Sequence, residues 1–382
     1  MTTQTLGPPR TTIGPAAWLR KNLFSGVVSS IVTVLIVALL VWLALTVGGW
    51  AITEARWNVV TGNLRLFLIG QYPADQAWRL WLNLAILSVL SGASAAIFGR
   101  TTRALATSLS VGQLMLAALM APSPLGPVIV VGMVGNALAV WAAFVVGLRV
   151  TVPRRGLVIA WIVSLPVSFV LINGLGFGPL PGVGTGAWGG LLLTVLLALG
   201  RRSSLPAARF LSTLYIEVIR GVPLVTILFM ADIMLPLLLP GEFRIDRVTR
   251  AMGGITLFSA AYVAENVRGG LQAIPSGQIE AAHAIGLNAA QTTYYIVLPQ
   301  ALRSVIPANV GLFISLLKDT TLVTIVGLLE LLGIGRAILA QPQSLGAHLE
   351  VYVFIGAIFF VLCYAMSQAS YRLERALGIG TR

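Results

Sequence analysis

Residues 280 to 299 decide how this chain is read. They run Glu280-Ala281-Ala282, three residues, Gly286, nine residues, then Ile296-Val297-Leu298-Pro299. The stretch is far more polar than the chain around it and lies between two apolar segments. Its charge and small residues suit a short helix on a membrane surface, not a span. The segments on either side of it point to a membrane protein crossed by helices.

Composition agrees. The mean hydropathy is +0.91, and only 10% of the 382 residues are charged, against roughly 25% in a soluble domain. Apolar stretches recur from near residue 25 to near residue 371. A spanning helix needs about 20 apolar residues, so the length leaves room for about ten. Continuous runs of this kind do not fit the alternating pattern of a membrane barrel. The fold class is therefore all-α and polytopic, in a lipid bilayer.

The net charge of +13 does not indicate a nucleic-acid partner. The arginines gather where spans end, the positive-inside pattern, and no basic block is interleaved with aromatics. The single Cys363 lies in an apolar run, where it packs and forms no intrachain disulfide. No short apolar region with an A-x-A-like site stands in the first 24 residues, so the first hydrophobic stretch is expected to remain as a span.

The expected spans are 25–48, 80–99, 104–121, 126–148, 157–174, 187–200, 213–239, 250–270, 304–327 and 350–371. Arg10, Arg20 and Lys21 put the N-terminus inside, and every later inside segment carries at least one Arg or Lys. A Gly/Pro-rich outside loop at 175–186 separates an N-terminal extension of about five spans (1–174) from a C-terminal core of about five (187–382). Residues 187–200 offer about 14 residues, roughly 21 Å of helix, against a hydrocarbon core of about 30 Å. That helix recruits residues from 182–186, thins the bilayer, or stops short of spanning.

Ionisable groups within spans are functional candidates. Lys318, one of only two lysines, and Asp319 lie more than halfway along 304–327, with Thr320 and Thr321 next to them. They read either as a local ion pair or water-exposed helix end, or as substrate contacts. Asp232 lies within 213–239; it either meets a substrate ammonium or Lys318, or sits near the outer interface. Glu217 and Arg220 are three apart, as are Glu265 and Arg268, and so are neighbours on one helix face. Each pair is a structural ion pair, or part of a gate or subunit contact. Glu280 on a surface helix can accept hydrogen bonds from a partner protein. Ala281 and Ala282 allow close approach, and Gly286 lets the chain turn. The histidines, His283 and His348, fall on opposite sides, so no metal cluster is expected. No G-x-x-x-x-G-K-[ST] phosphate loop and no nucleophile–base constellation occurs.

The spacing of residues 280–299 resembles the EAA loop of bacterial ABC-importer permeases. Tyr215-Ile216-Glu217-Val218-Ile219-Arg220-Gly221-Val222-Pro223-Leu224 resembles the signature of polar-amino-acid permeases of the histidine/glutamine type. So do Ala261-Tyr262-Val263-Ala264-Glu265-Asn266-Val267-Arg268-Gly269-Gly270 and Leu317-Lys318-Asp319-Thr320-Thr321-Leu322. Gly200-Arg201-Arg202-Ser203-Ser204-Leu205-Pro206, with Phe229-Met230-Ala231 and Met234-Leu235-Pro236, is similar to the general L-amino-acid permease subgroup. That subgroup has an N-terminal membrane extension, whose start Trp18 to Phe24 resembles. The chain departs from the family in two places. The segment between 188–190 and 200–202 is shorter by roughly half a helix, and Asp232 replaces a small residue.

The resemblance implies a type I ABC-importer permease core with its EAA loop at about 276–299. It implies that Glu280, Ala281, Ala282, Gly286, Leu298 and Pro299 couple this chain to an ABC ATPase dimer that carries the ATP and Mg. This chain would hold no cofactor and hydrolyse nothing. The other implied partners are a homologous permease subunit and a periplasmic amino-acid-binding protein, all at the bacterial inner membrane. Two rival readings are an ion-coupled secondary transporter using Asp232 or Asp319, and a non-transporting scaffold. The first wants inverted repeats with broken helices, and none is evident. The second leaves the polar loop without a purpose.

Overall fold

The computed structural model describes residues 19–376, apart from 21, 71, 122–125, 151–152, 174–181, 202, 239–244 and 246. The described residues are helical, with no strand among them, as the apolar runs require. They form two compact units, divided between Trp57 and Asn58. Most of the expected 175–186 loop lies outside the described residues.

The long element described in the first unit is a helix, α1 (Val27–Thr53), of 27 residues. At 1.5 Å per residue it is about 40 Å long, enough to cross the roughly 30 Å hydrocarbon core. It carries no charge and no buried residue. Its ends are fixed locally: Thr33 Oγ1 donates to the Leu23 carbonyl at 2.8 Å, and the Trp57 indole donates to the Ala51 carbonyl at 2.7 Å.

After the short helices Asn58–Gly62 and Leu64–Ile69, the second unit continues with four long helices, α2 (Ala77–Ile97), α3 (Arg100–Met120), α4 (Gly126–Arg149) and α5 (Arg154–Asn173). Small residues let α2 and α4 approach closely, as helices in lipid do. A Cβ at Gly92 would lie 2.0 Å from the Val140 carbonyl oxygen, and one at Gly147 would lie 2.8 Å from Ala96 Cβ. Trp161 Nε1 on α5 donates to Ser94 Oγ on α2 at 2.8 Å.

The C-terminal helices are α6 (Gly182–Arg201), α7 (Pro206–Gly221), α8 (Leu224–Leu238), α9 (Arg247–Gln272), α10 (Ser276–Ala284), α11 (Leu298–Asp319), α12 (Leu331–Leu339) and α13 (His348–Ala376). Helix α9 is the hub, packed on α6, α7, α8 and α11. Glycines again mark the contacts: a Cβ at Gly270 would meet Val305 Cγ2 at 2.3 Å, and one at Gly190 would meet Thr256 Cγ2 at 2.7 Å. Asn266 Nδ2 donates across the α9–α11 contact to Asn309 Oδ1 at 2.9 Å. Helix α13 joins this core to the preceding helices by packing on both α11 and α3.

One open alternative is decided and one expectation changes. The short 187–200 segment belongs to a 20-residue helix that begins at Gly182. It is therefore about 30 Å long, recruiting residues 182–186. The expected straight span 213–239 is instead two helices, α7 and α8, bent by 106°. Pro223 has no N–H and clashes with the preceding turn. It forces Val222 into extended geometry (φ −104°, ψ 133°), as a residue before proline prefers.

Among the described residues, five helical stretches can cross a bilayer by length and composition: α1, α2, α4, Ala289–Val326 and α13. There are six if the bent α7–α8 pair counts as one. The ten-span count thus stands above what these criteria return. Helices α3 and α9 are long enough but carry charged ends, Arg100 and Arg103 on one, Arg247, Arg250, Glu265 and Arg268 on the other.

Candidate functional site

The polar stretch forms a helical hairpin between α9 and α11. Helix α10 ends in a left-handed turn at Gly286 (φ +85°). The Gly286 N–H donates to the His283 carbonyl at 2.9 Å and the Leu287 N–H to the Ala282 carbonyl at 3.1 Å. These two bonds are the Schellman closure, which puts glycine where its left-handed conformation is cheapest. Two residues later a capping box starts the next helix, Ala289–Thr292. Gln291 N–H donates to Asn288 Oδ1 at 2.9 Å, and Asn288 N–H to Gln291 Oε1 at 3.0 Å. A π-turn at Thr293–Val297 leads into α11, with Pro299 in its first turn.

The hairpin has an inside and an outside. Ala282 is 3% exposed, and Thr292 and Val297 are buried with it. Glu280, Ala281, Gly286, Leu298 and Pro299 are exposed. The two alanines therefore part company, because consecutive helical residues point about 100° apart. Ala281 faces out, whereas Ala282 packs within the hairpin. The outer face also carries Ile285, Tyr294 and Tyr295 at 76%, 66% and 62% exposure. Sequence reading passed over these three. Their signal was large apolar side chains in an otherwise polar loop, and such an exposed patch marks an interaction surface.

Beside the hairpin, one cluster of charge joins the ends of α6, α7 and α9. Arg201 bridges Glu217 at 2.8 Å and Glu265 at 3.0 Å. Arg220 reaches Glu265 at 3.5 Å and lies over the Tyr262 ring at 5.5 Å. Arg268 pairs with Glu265 one turn away and bonds Gln272. Of the two i,i+3 neighbours, Glu265 and Arg268 meet directly. Glu217 and Arg220 each take a partner on another helix instead. Sequence reading used Arg201 only to mark topology. Its place in the last turn of α6, a helix that runs parallel to α9, was the available clue.

A second cluster holds the other end of α9. Asp232, in the π-turn Met230–Met234 of α8, lies 3.1 Å from Arg250 and 3.8 Å from Arg247. Arg250 also donates to the Asp232 backbone carbonyl. Arg250 and Arg268 stand 18 residues apart on α9, about 27 Å. That approaches the hydrocarbon thickness of about 30 Å. The two clusters thus hold opposite ends of α9, and Asp232 belongs to the one at its N-terminal end. Neither arginine was foreseen as its partner.

Lys318 and Asp319 close α11, and a 3₁₀ segment, Thr320–Val326, comes next. Among the described residues neither charge makes an ion pair with the other or with anything else. Lys318 is exposed on the chain. Asp319 and Thr320 line a cavity of about 340 Å³ with Leu224, Ile255, Phe313 and Met366. Ile255 lies five residues from Arg250 and ten from Glu265, about 7–8 Å and 15 Å along α9. The cavity therefore lies between the two clusters along α9, nearer the one that holds Asp232. The hydroxyls of Thr320 and Thr321 donate to the carbonyls of Leu317 and Lys318 at 2.7 and 2.8 Å. Glu330 ties the 3₁₀ segment to the start of α12, accepting from Thr324 Oγ1 at 2.6 Å and from two N–H groups of α12 at 2.7 Å each.

A helical protein that crosses the bilayer repeatedly and holds out one ordered hairpin between two core helices is built as the membrane part of a larger machine. The sequence of residues 190–377 matches the family described as "Binding-protein-dependent transport system inner membrane component". The inner membrane amino-acid ABC transporter permease protein YhdY of Escherichia coli (strain K12) is 36% identical over 95% of this chain and 93% of its own. The glutamate/glutamine/aspartate/asparagine transport system permease protein BztC of Rhodobacter capsulatus is 35% identical over 98% of this chain and 97% of its own. The probable glutamine ABC transporter permease protein GlnP of Bacillus subtilis is 35% identical over 46% of this chain and 78% of its own. The chain belongs to the binding-protein-dependent transport system inner membrane component family, transport proteins and not enzymes, and is a multi-pass protein of the bacterial inner membrane.

Proposed function

We infer that this permease subunit serves an ATP-driven importer of L-amino acids and gives its substrate alternating access across the membrane. The observation that carries the coupling part is the hairpin at 276–299, whose exposed Glu280, Ala281, Ile285, Tyr294 and Tyr295 surround a turn that needs Gly286. The hairpin docks on an ABC ATPase, which holds ATP and Mg and does the hydrolysis. Its rigid continuation into α11 carries the ATPase motion to Lys318 and Asp319. Amino acids as cargo are supported by the names of relatives that align along nearly the whole chain. The remaining partners are a second, homologous permease and a periplasmic amino-acid-binding protein.

In this reading the chain crosses ten times, with both termini and the hairpin in the cytoplasm. Residues 1–174 form the extension and 187–382 the permease core. The family match at 190–377 supports the second boundary. Lys318, Asp319 and Thr320 face the substrate path. Asp232, whose charge two arginines already answer, has the weaker claim to it. The deciding experiment is copurification from the native membrane. An ABC ATPase and an amino-acid-binding protein should come with the wild-type chain, and the ATPase should be lost when Gly286 is replaced by Trp. A chain that carries amino acids with no ATPase present would overturn the reading.

A further inference from the structure

A cavity of about 410 Å³ lies where α2, α3 and α4 meet α11 and α13. It sits in the seam between the extension helices and the core. Leu84, Leu109, Leu116, Met133, Leu317 and Leu362 supply most of its apolar wall, and Ser108 and Gln113 are its polar members. Gln113 is half engaged: its Nε2 donates to Ser88 Oγ at 3.0 Å, and its buried Oε1 has no hydrogen-bond partner among the described residues. The space comes from small residues. A Cβ at Gly112 would lie 3.1 Å from Ala365 Cβ, so α3 and α13 touch there, and Ala369 one turn further on leaves room beside the contact.

One end of the cavity is marked by charge. Beside Ser108, Arg372 Nη1 donates to Thr107 Oγ1 at 2.9 Å and to Ser108 Oγ at 3.2 Å. Both acceptors are neutral. Among the described residues no carboxylate lies within ion-pair distance of Arg372. The cavity wall runs from Ser108 to Leu116 on α3, about 12 Å. That is most of the depth of one leaflet, half of a hydrocarbon core of about 30 Å.

We propose that this cavity is a phospholipid site: one acyl chain fills the apolar space, and an anionic headgroup meets Arg372. Most of the wall is apolar, which water fills poorly, and left empty it lacks dispersion partners. A lipid chain supplies them. The guanidinium, held in place by two hydroxyls, keeps further N–H groups for phosphate oxygens, which arginine binds in a forked geometry. The lipid then acts as filler between extension and core. With the C-terminus in the cytoplasm, as the transport reading has it, the leaflet is the cytoplasmic one; only the leaflet rests on that reading.

The test is native mass spectrometry of the full chain, purified in mild detergent with whatever subunits accompany it, with phosphatidylglycerol and phosphatidylethanolamine quantified from the same sample. Wild type should retain phosphatidylglycerol. Arg372→Gln removes the charge and leaves a shorter, neutral side chain, and should lower that retention about fivefold, the worth of one basic residue at an anionic surface. Ala369→Leu fills the space and should displace both lipids. Absence of retained phospholipid from wild type, or equal phosphatidylglycerol in wild type and Arg372→Gln, overturns the proposal. Should Ala369→Leu not fold, the Arg372 comparison decides alone. Copurified ATPase, measured in the same preparation, reports separately on the transport reading.

Discussion

Arg201 Nη1 lies 3.0 Å from Glu265 Oε2, although the two residues stand 64 positions apart. The pair ties the end of α6 to the end of α9, one loop away from the hairpin. Glu265 takes three arginines in all, so its carboxylate sets the relative positions of α6, α7 and α9 where the hairpin departs.

Glu265→Gln should therefore destabilise the protein more than Glu217→Gln. Breaking a buried ion pair costs about 3–5 kcal/mol, and an exposed pair is worth about 0–1. The side chain of Glu265 is 17% exposed and that of Glu217 is 57%, so the first lies nearer the buried case. Thermal unfolding of the purified chain, tracked by intrinsic fluorescence, gives the order. Equal midpoints for the two variants would show that the cluster is merely a solvated surface.

Gly286 should tolerate Asn and reject Val. Its φ of +85° costs a residue with a Cβ roughly 1–2 kcal/mol, and a β-branched side chain fares worse than Asn. Gly286→Val should remove ATP-driven uptake and ATPase copurification while membrane insertion persists, because α9 and α11 do not depend on the turn. Wild-type uptake from Gly286→Val would sink the coupling role.

Asp232 should behave as part of a structural lock. Asp232→Ala leaves Arg247 and Arg250 facing each other, and assembled protein should fall. A double-mutant cycle with Arg250→Met should return a coupling of about 0.5–3 kcal/mol, as residues in one ion-pair network do. Transport selectivity per assembled complex should not move. A change of selectivity at full assembly would put Asp232 in the substrate path instead.

The sequence made the helices legible because apolar length alone forces them. The expected spans have helices at their places, 213–239 as the bent pair α7 and α8, and the doubtful one at 187–200 gains its extra turn from a Gly/Thr stretch with little apolar signal. The bend at Pro223 was readable in principle, since proline within an apolar run breaks a helix. Hydropathy averaged over it. Partners across helices were not legible. Nothing in the local spacing says that Arg220 prefers Glu265 to Glu217, or that Asp232 meets Arg250, because both choices depend on how distant segments pack. The hairpin was legible as a polar loop, but its inward Ala282 and outward Tyr294 come from a fold-back that only the Gly286 turn creates.

Topology offers a further check. Reporter fusions at 150, 180, 205, 245, 290 and 382 should read in, out, in, out, in, in, from the distribution of arginine. An outside signal at 290 would place the hairpin away from any cytoplasmic ATPase.

Lys318 gives the sharpest test of the substrate path. It ends α11 exposed and without an ion-pair partner among the described residues, while adjacent Asp319 lines a cavity with Thr320. A lone charge within the membrane costs about 2.5–3.5 kcal/mol even on the mild insertion scale, so water or a substrate group must answer it. An amino acid brings a carboxylate that fits. Lys318→Met should weaken uptake of acidic and neutral amino acids while ATPase docking stays intact. A purely structural lysine would show itself by lower assembly instead. Uptake is therefore measured per assembled complex, and normal specific uptake with wild-type selectivity in Lys318→Met would rule out the substrate role.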